Sequence, residues 1–405
     1  MEKWRSKELW QSLEAAGGRT TFKAGGLTDE DFKRPFVGIA NTWAEMGPGH
    51  MHLRQIAEVV KAGVWQAGGV PLEFGNMAQC PNMVEGLHGI RFDTATREIV
   101  SFSIEAAAEL HMFDALIMIG TCDKIIPAFL LAAARLDLPT IIVPGGPMKA
   151  GRFRGKEIMS DLLMVEGYAM AMGKSGLSRD EFTEMEDCIC PSAGACAVLG
   201  TANTGQCMAE ALGLALPGAG TALATSSKRL RLAKNSGRKI MDLIKQGISA
   251  RDILTEKSLV NGIKLLHALG GSTNTILHLL ALSHELSLDE KINLSLIEKL
   301  GEEIPCITAV QPSGPFTMGD MDEAGGVGAV LKQIEEHLDP DVMTVTGETL
   351  GDTVEALIQG RADVAISQMQ EAAAARGLDT MTMDEIDAII ADVRREMREQ
   401  DEAAA

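Results

Sequence analysis

Aromatic residues are scarce: one Tyr and four Trp occur among 405 residues. Proteins that bind single-stranded nucleic acid stack bases on exposed rings, so this scarcity argues against that class of function. Positive charge is short as well. Lys and Arg number 37 against 56 Asp and Glu, a formal net charge of −19, which disfavours phosphate backbones and anionic bilayers alike. Any anionic substrate would need a local cation: a metal, an Arg or Lys, or a helix N-terminus. No apolar run approaches the ~20 residues of a membrane-spanning helix. The start, Met1-Glu2-Lys3-Trp4-Arg5, lacks the apolar core of a secretion signal. The expectation is a cytoplasmic protein with no nucleic-acid or membrane partner. Its seven Cys are then thiols or metal ligands rather than disulfides. Repeats and low-complexity linkers are missing too, which excludes solenoids.

What is present is an alternation of apolar runs and helix-period segments. Strands are expected at Phe36–Ala40, Val70–Met77, Ala115–Ile119, Thr140–Val143 and Ile304–Val310. Helices are expected at Met51–Gln66, at Thr94–Leu110 with Thr94 as N-cap, and at Ile125–Arg135. Short glycine-rich turns join them, the pattern of an α/β fold with a doubly wound, largely parallel sheet flanked by helices. Residues 150–186 read as surface helices. A helix should open near Asn203 or Thr204 and run to about Leu214. Ser226–Ser249 reads as a basic, exposed helix, and Leu265–Leu280 contains a small-residue turn that opens a helix. The domain organisation expected is an N-terminal arm at 1–33 lying over a neighbouring surface, a large α/β domain at 34–367, and a helical tail at 368–405. In the tail, Thr382 and Glu385 form a capping box. Met383, Ile386, Ile389, Ile390, Val393 and Met397 make a stripe for packing on the parent domain or, alternatively, on another subunit.

The chemistry centres on Gly120-Thr121-Cys122-Asp123-Lys124. In open α/β sheets the turn after a parallel strand lies in the ligand crevice. A soft thiolate, a hard carboxylate oxygen and an amine meet there, suiting iron or zinc, magnesium, and a cation or nucleophile respectively. The alternative is a buried Cys beside a surface ion pair. Cys80 and Cys196 also sit in loops next to strands or helices. Their wide separation rules out a compact zinc finger, but a parallel sheet gathers such loops along one edge. Three thiolates there suit an iron–sulfur cluster with one open iron, a Lewis acid toward a hydroxyl group. The alternative is three small buried hydrophobes, the class given to Cys188, Cys190, Cys207 and Cys306. His50 and His52 read as caps or core hydrogen bonders, with a supporting role near the site as the other reading.

The chain resembles the family of dihydroxy-acid and sugar-acid dehydratases, which includes phosphogluconate and aldonate dehydratases. The resemblance runs over about residues 34–367. It is carried in order by Asn41-Thr42-Trp43, Pro48-Gly49-His50-Met51-His52-Leu53, Cys122-Asp123-Lys124, Gly145-Gly146-Pro147-Met148, Pro191-Ser192-Ala193-Gly194-Ala195-Cys196, Thr201-Ala202-Asn203-Thr204, Ala268-Leu269-Gly270-Gly271-Ser272-Thr273-Asn274 and Thr346-Gly347-Glu348. It implies a hydro-lyase that removes water from a 2,3-dihydroxy acid to give a 2-keto acid. The implied cofactors are an iron–sulfur cluster, 2Fe–2S or 4Fe–4S, and Mg²⁺. Cys122 and Cys196 would be cluster ligands, Asp123 a Mg²⁺ ligand, and Lys124 a catalytic and metal-binding lysine, carbamylated in some members. One branch has Cys where this chain has Gly49. The branch with Pro-Gly-His has the remaining thiolate in the next loop, where Cys80 stands. That branch resembles the dehydratase of branched-chain amino-acid synthesis, so the expected substrate is a small branched dihydroxy acid, with a sugar acid as the alternative.

Two departures stand out. Relatives carry an acidic Mg²⁺ ligand after Cys80, where this chain has Pro81; Glu85 is the substitute, or else a plain surface acid. The family's C-terminal barrel domain, which brings the base and a further carboxylate, is expected to be absent, either supplied by a separate chain or lost. The rival expectation is a non-catalytic relative that serves in assembly. The family implies a homodimer or homotetramer.

Overall fold

Phe36–Asn41 (β1) forms the middle of the molecule because both of its faces are covered. Every residue of β1, of Ala115–Gly120 (β3) and of Thr140–Pro144 (β4) is buried. That burial explains their continuous apolar sequence, the mark of a parallel strand with helices on both sides. In this computed structural model, which describes residues 4–358, the strands pair in parallel in the order β2-β1-β3-β4, with Val70–Gly75 as β2. The register sets Ile39 beside Ile117 and Ile117 beside Ile141. On β4, Ile142 N–H donates to Leu214 O at 2.8 Å, so the following segment shields that edge.

Helices Leu53–Gln66 and Ser227–Gln246 pack together, as do Asp93–Leu110 and Ile125–Leu136. The first pair approaches closely at Gly63 and Gly237: a Cβ on Gly63 would lie 2.2 Å from Lys234 O, and one on Gly237 2.2 Å from Val60 O. Ser227–Gln246 is therefore not the exposed basic helix its composition suggests. Arg229, Ala233, Ile240 and Leu243 are buried, and its lysines keep to the other face.

Four further expectations are corrected. Asp93 opens its helix with Phe92 at the N-cap and no capping side chain, so Thr94 lies inside the helix. Ile304–Val310 is not a strand; beyond one isolated bridge from Val310 to Phe316 its backbone is irregular, and Ile307 N–H donates to Ala268 O. The 150–186 region opens with an antiparallel hairpin, Gly151–Phe153 (β5) and Lys156–Ile158 (β6), before its two helices. The helix expected near Asn203 begins at Thr201 and ends at Ala211.

The N-terminal segment contains helices Lys7–Gln11 and Ala16–Ala24 and lies against its own chain. Ser6 N–H and Oγ–H both donate to the Asp114 carboxylate, which also accepts from Phe36 N–H at 2.7 Å. Phe22 packs edge-on against Phe32 and Phe36. The tail helix, the Thr382–Glu385 capping box and the Met383–Met397 stripe lie outside the described residues.

Candidate metal and cluster site

Four loops meet at the carboxyl ends of β1, β3 and β4, and backbone and side-chain hydrogen bonds lace them together. The Thr121 hydroxyl donates to Gly49 O. Gly194 N–H donates to Pro48 O at 2.8 Å, Ala195 N–H to Gly146 O at 2.9 Å, and Met148 N–H to Ala195 O at 2.7 Å. His50, fully buried, links Thr42 through Nδ1 and Gln79 O through Nε2 at 3.0 Å. His52 Nε2 reaches Gly145 O at 2.9 Å. With a carbonyl as the partner, each Nε2 carries the proton, and burial pushes both imidazoles down in pKa. The two histidines are thus neutral struts. Asn203 Nδ2 donates to Cys196 O and Val198 O, which explains the Thr-Ala-Asn-Thr stretch as a clamp on the third cysteine loop.

These loops enclose a cavity of about 290 Å³ whose wall includes Cys80, Cys122, Cys196, Asp123 and Glu85. The three cysteines picked from sequence therefore share one space, and two of the three proposed metal-binding side chains join them. Cys122 stands at the strand-to-helix turn in the left-handed region, φ +66°, buried and on the cavity wall. Cys122 and Cys80 hydrogen-bond to each other. That hydrogen bond pushes Cys122 well up, burial adding to the effect, and pulls Cys80 down. A Cβ on Gly49 would lie 2.7 Å from Cys122 Sγ, so no side chain at 49 fits while Cys122 keeps its place.

The oxygen side of the site is crowded with negative charge. Burial raises the Asp123 pKa, and Asp93 and Glu85 raise it further; Lys124 and a hydrogen bond to the Thr201 hydroxyl act the other way. Thr201 is held in turn by Ser272 Oγ and by Asn274 Nδ2, each at 2.9 Å, which gives the Gly-Gly-Ser-Thr-Asn turn its place in the site. A carboxyl that is costly to ionise for these reasons is relieved by a bound cation. Lys124 does not reach the cavity wall. Its side chain is 6% exposed and pairs with Asp93 at 2.7 Å, while Gln79 Nε2 also donates to Asp93. Pro81 opens a short 3₁₀ turn, Pro81–Met83, and Glu85 follows it as an exposed residue at the cavity rim.

Sequence reasoning missed Asp93, the charge partner of Lys124, whose position in the first turn of a helix suggests only a dipole contact. It also misjudged Cys190. This residue is no buried hydrophobe but an exposed thiol on the wall of the same cavity. Cys207 is fully buried, and Cys188 packs beside the small core of Ile158, Met185 and Ile189. Cys306 is exposed, with its thiol 3.6 Å from Thr308 O. Among the described residues, no three His, Cys, Asp or Glu gather closely enough to enclose a single metal ion. Sulfurs spread over the walls of a 290 Å³ space suit a polynuclear core better than one atom.

Comparison with known proteins gives the following. The dihydroxy-acid/6-phosphogluconate dehydratase N-terminal family matches residues 34–353. A dihydroxy-acid dehydratase of Methanothrix thermoacetophila is 47% identical over 338 residues, covering 84% of this chain and 60% of that protein. Its counterpart in Methanothermobacter thermautotrophicus is 41% identical over 360 residues, 89% of this chain and 65% of the relative. One from Caldanaerobacter subterraneus subsp. tengcongensis is 44% identical over 354 residues, 86% and 63% respectively. The chain thus spans 60–65% of the length of these curated relatives. No helix among the described residues is long and apolar enough to cross a membrane.

Proposed function

The chain belongs to the dihydroxy-acid/6-phosphogluconate dehydratase N-terminal family, and from that membership we propose that its cavity holds an iron–sulfur cluster and Mg²⁺ for the dehydration of a dihydroxy acid to a keto acid. The observation that carries this reading is the single cavity lined by Cys80, Cys122, Cys196 and Asp123. The thiols of Cys80, Cys122 and Cys196 are the cluster ligands. Metal ligation requires thiolates, so binding displaces the thiol protons of Cys80, Cys122 and Cys196. Asp123 is the fixed Mg²⁺ ligand and Glu85 the second carboxylate on the rim. When bound, the cluster supplies a Lewis acid that draws electron density from a hydroxyl group.

The remaining work falls to the chain. Lys124, fixed by Asp93 at 2.7 Å, sets the electrostatic background of Asp123 from behind the wall. Thr201 orients Asp123, and the Ser272–Asn274 turn orients Thr201. The hydrogen bonds among the loops keep the three sulfur positions fixed, so ligand geometry is set before substrate arrives. The small branched dihydroxy acid is the preferred substrate because the relatives named above are dihydroxy-acid dehydratases. Self-association into a homodimer or homotetramer belongs to the same proposal. It is supported by exposed Met83, Leu87 and Phe92 beside the cavity loop and is tested by light scattering.

The test is anaerobic reconstitution with ferrous iron and sulfide, followed by iron analysis and a keto-acid assay on dihydroxyisovalerate and on aldonic acids. Iron bound by the wild type and lost in Cys122→Ser supports the reading. A wild-type chain that stays colourless and iron-free refutes it, and turnover of aldonic acids alone replaces the substrate class.

A further inference from the structure

Cys190 is the residue of the cavity wall that the site described above leaves without a task. It ends the helix Arg179–Ile189 as its C-cap, at φ −116° and ψ 75°, directly before Pro191. It is exposed, yet it lines the same space as Cys80, Cys122 and Cys196. Among the described residues, no hydrogen-bond partner holds the Cys190 thiol. The remaining cysteines differ: Cys207 and Cys188 are packed into apolar surroundings, and Cys306 lies against Thr308. An exposed thiol is a liability that proteins tend to avoid, and here it stands at the mouth of a cavity that already holds three sulfurs.

We propose that Cys190 is an exchangeable fourth thiolate, which closes the coordination of the iron left open by Cys80, Cys122 and Cys196 while no substrate is present, and leaves that position when substrate enters. The proposal rests on the cluster reading given above. On ligation the Cys190 thiol passes its proton to solvent and its sulfur would take the open iron position; on release that iron–sulfur bond breaks as a substrate oxygen takes the position, and the sulfur takes a proton back. No electron is transferred. A position at the mouth suits this exchange, because the sulfur swings outward to solvent without disturbing the loops that hold the three permanent ligands. The consequence in the resting protein is iron that is shielded from chelators and from dioxygen.

The full chain is reconstituted anaerobically as wild type, Cys190→Ser, Cys190→Ala and Cys188→Ser, and iron transfer to a chromogenic chelator is timed alongside the visible spectrum. Both Cys190 variants should load the same iron as the wild type but release it faster, on the order of 10-fold, the scale seen when a supporting ligand contact is lost. Their spectra should shift, and added 2-mercaptoethanol should slow the release again. Cys188→Ser, altered in the same segment but off the cavity wall, should match the wild type. Equal release rates with superimposable spectra would overturn the proposal and leave the cluster reading intact. A folded Cys190 variant that loads no iron would also overturn it, since the thiol would then be an obligatory ligand. A wild type that takes up no iron overturns both readings.

Discussion

Gly49→Ala is the smallest change that probes how the site is assembled. The added methyl would lie 2.7 Å from Cys122 Sγ and 2.9 Å from Thr121 Oγ1, well inside the ~3.5–4.0 Å of a comfortable carbon contact. Neither neighbour can yield freely. Thr121 Oγ is tied to Gly49 O, and Cys122 sits at φ +66°, a conformation with no strain-free alternative nearby for a residue bearing Cβ. Overpacking of this kind costs about 1–3 kcal/mol, and a value near 2 kcal/mol lowers the folding equilibrium constant about 30-fold, since each ~1.4 kcal/mol is tenfold. The chain relieves the clash by moving the Cys122 sulfur, so two signals should move together. The urea midpoint of the metal-free protein should fall, and bound iron after reconstitution should drop. Gly176→Ala is the control: nothing lies within 4 Å of a Cβ at that position, and a surface change of this sort stays within about 0.5 kcal/mol. Equal midpoints for the two variants, with full iron in both, would refute the account of Gly49 as the gap that admits Cys122.

Asp93→Asn leaves Lys124, 6% exposed and otherwise paired at 2.7 Å, without its counter-charge. Breaking a buried pair by removing one partner costs about 3–5 kcal/mol, so urea unfolding should register a loss of that order, and an unchanged midpoint would deny the pair its role. Two buried groups predict opposing pH slopes. His278 is held at a pKa of about 3, by burial first and then by Arg97 and Lys124; its contribution to stability is present above 6.5 and is lost as pH falls toward 3. Glu210 is pushed up to about 7 by burial, against hydrogen bonds from Gly218 and Gly220 N–H at 2.8 and 2.7 Å; its contribution is present below 4.5 and is lost as pH rises through 7. Between pH 4.5 and 6.5 each slope approaches ~1.4 kcal/mol per pH unit, and they are opposite in sign, so these two contributions cancel in the wild type and removing either one tilts the curve away from the wild type's. Relative to the wild type in urea titrations, His278→Gln should make stability fall with rising pH, and Glu210→Gln should make it rise. Parallel curves for the two variants would contradict both assignments.

The sheet was legible because β1, β3 and β4 are buried on both faces, so nothing polar interrupts their apolar runs. The same cue misled at Ile304–Val310. Ile304 and Val310 are buried there too, but no described strand runs alongside, and Ile304 and Ile307 N–H are met singly by Leu300 O and Ala268 O, carbonyls of two helices. Apolar sequence reports burial and leaves pairing unspecified. The Asp93 helix shows a second limit. Thr94 looks like a cap in the sequence, but the helix already begins at Asp93, whose carboxylate pairs with Lys124, distant in sequence. In the site, Cys80, Cys122 and Cys196 were legible because a parallel sheet delivers its loops to one edge, so position in the element order alone predicts that such residues converge. Asp93, Thr201 and Cys190 have no such cue. Their roles come from partners in other loops, as with the Arg97–His278 contact at 3.1 Å across a separation of 181 residues. Cys190 is the sharpest case, because it lies only two residues from Cys188 on the same chain segment. One packs beside the hairpin core and the other faces the cavity, and only the end of the helix Arg179–Ile189 separates them. Which of two neighbouring thiols meets the metal is therefore decided by where that helix stops, a boundary that local propensity locates to within one or two residues at best.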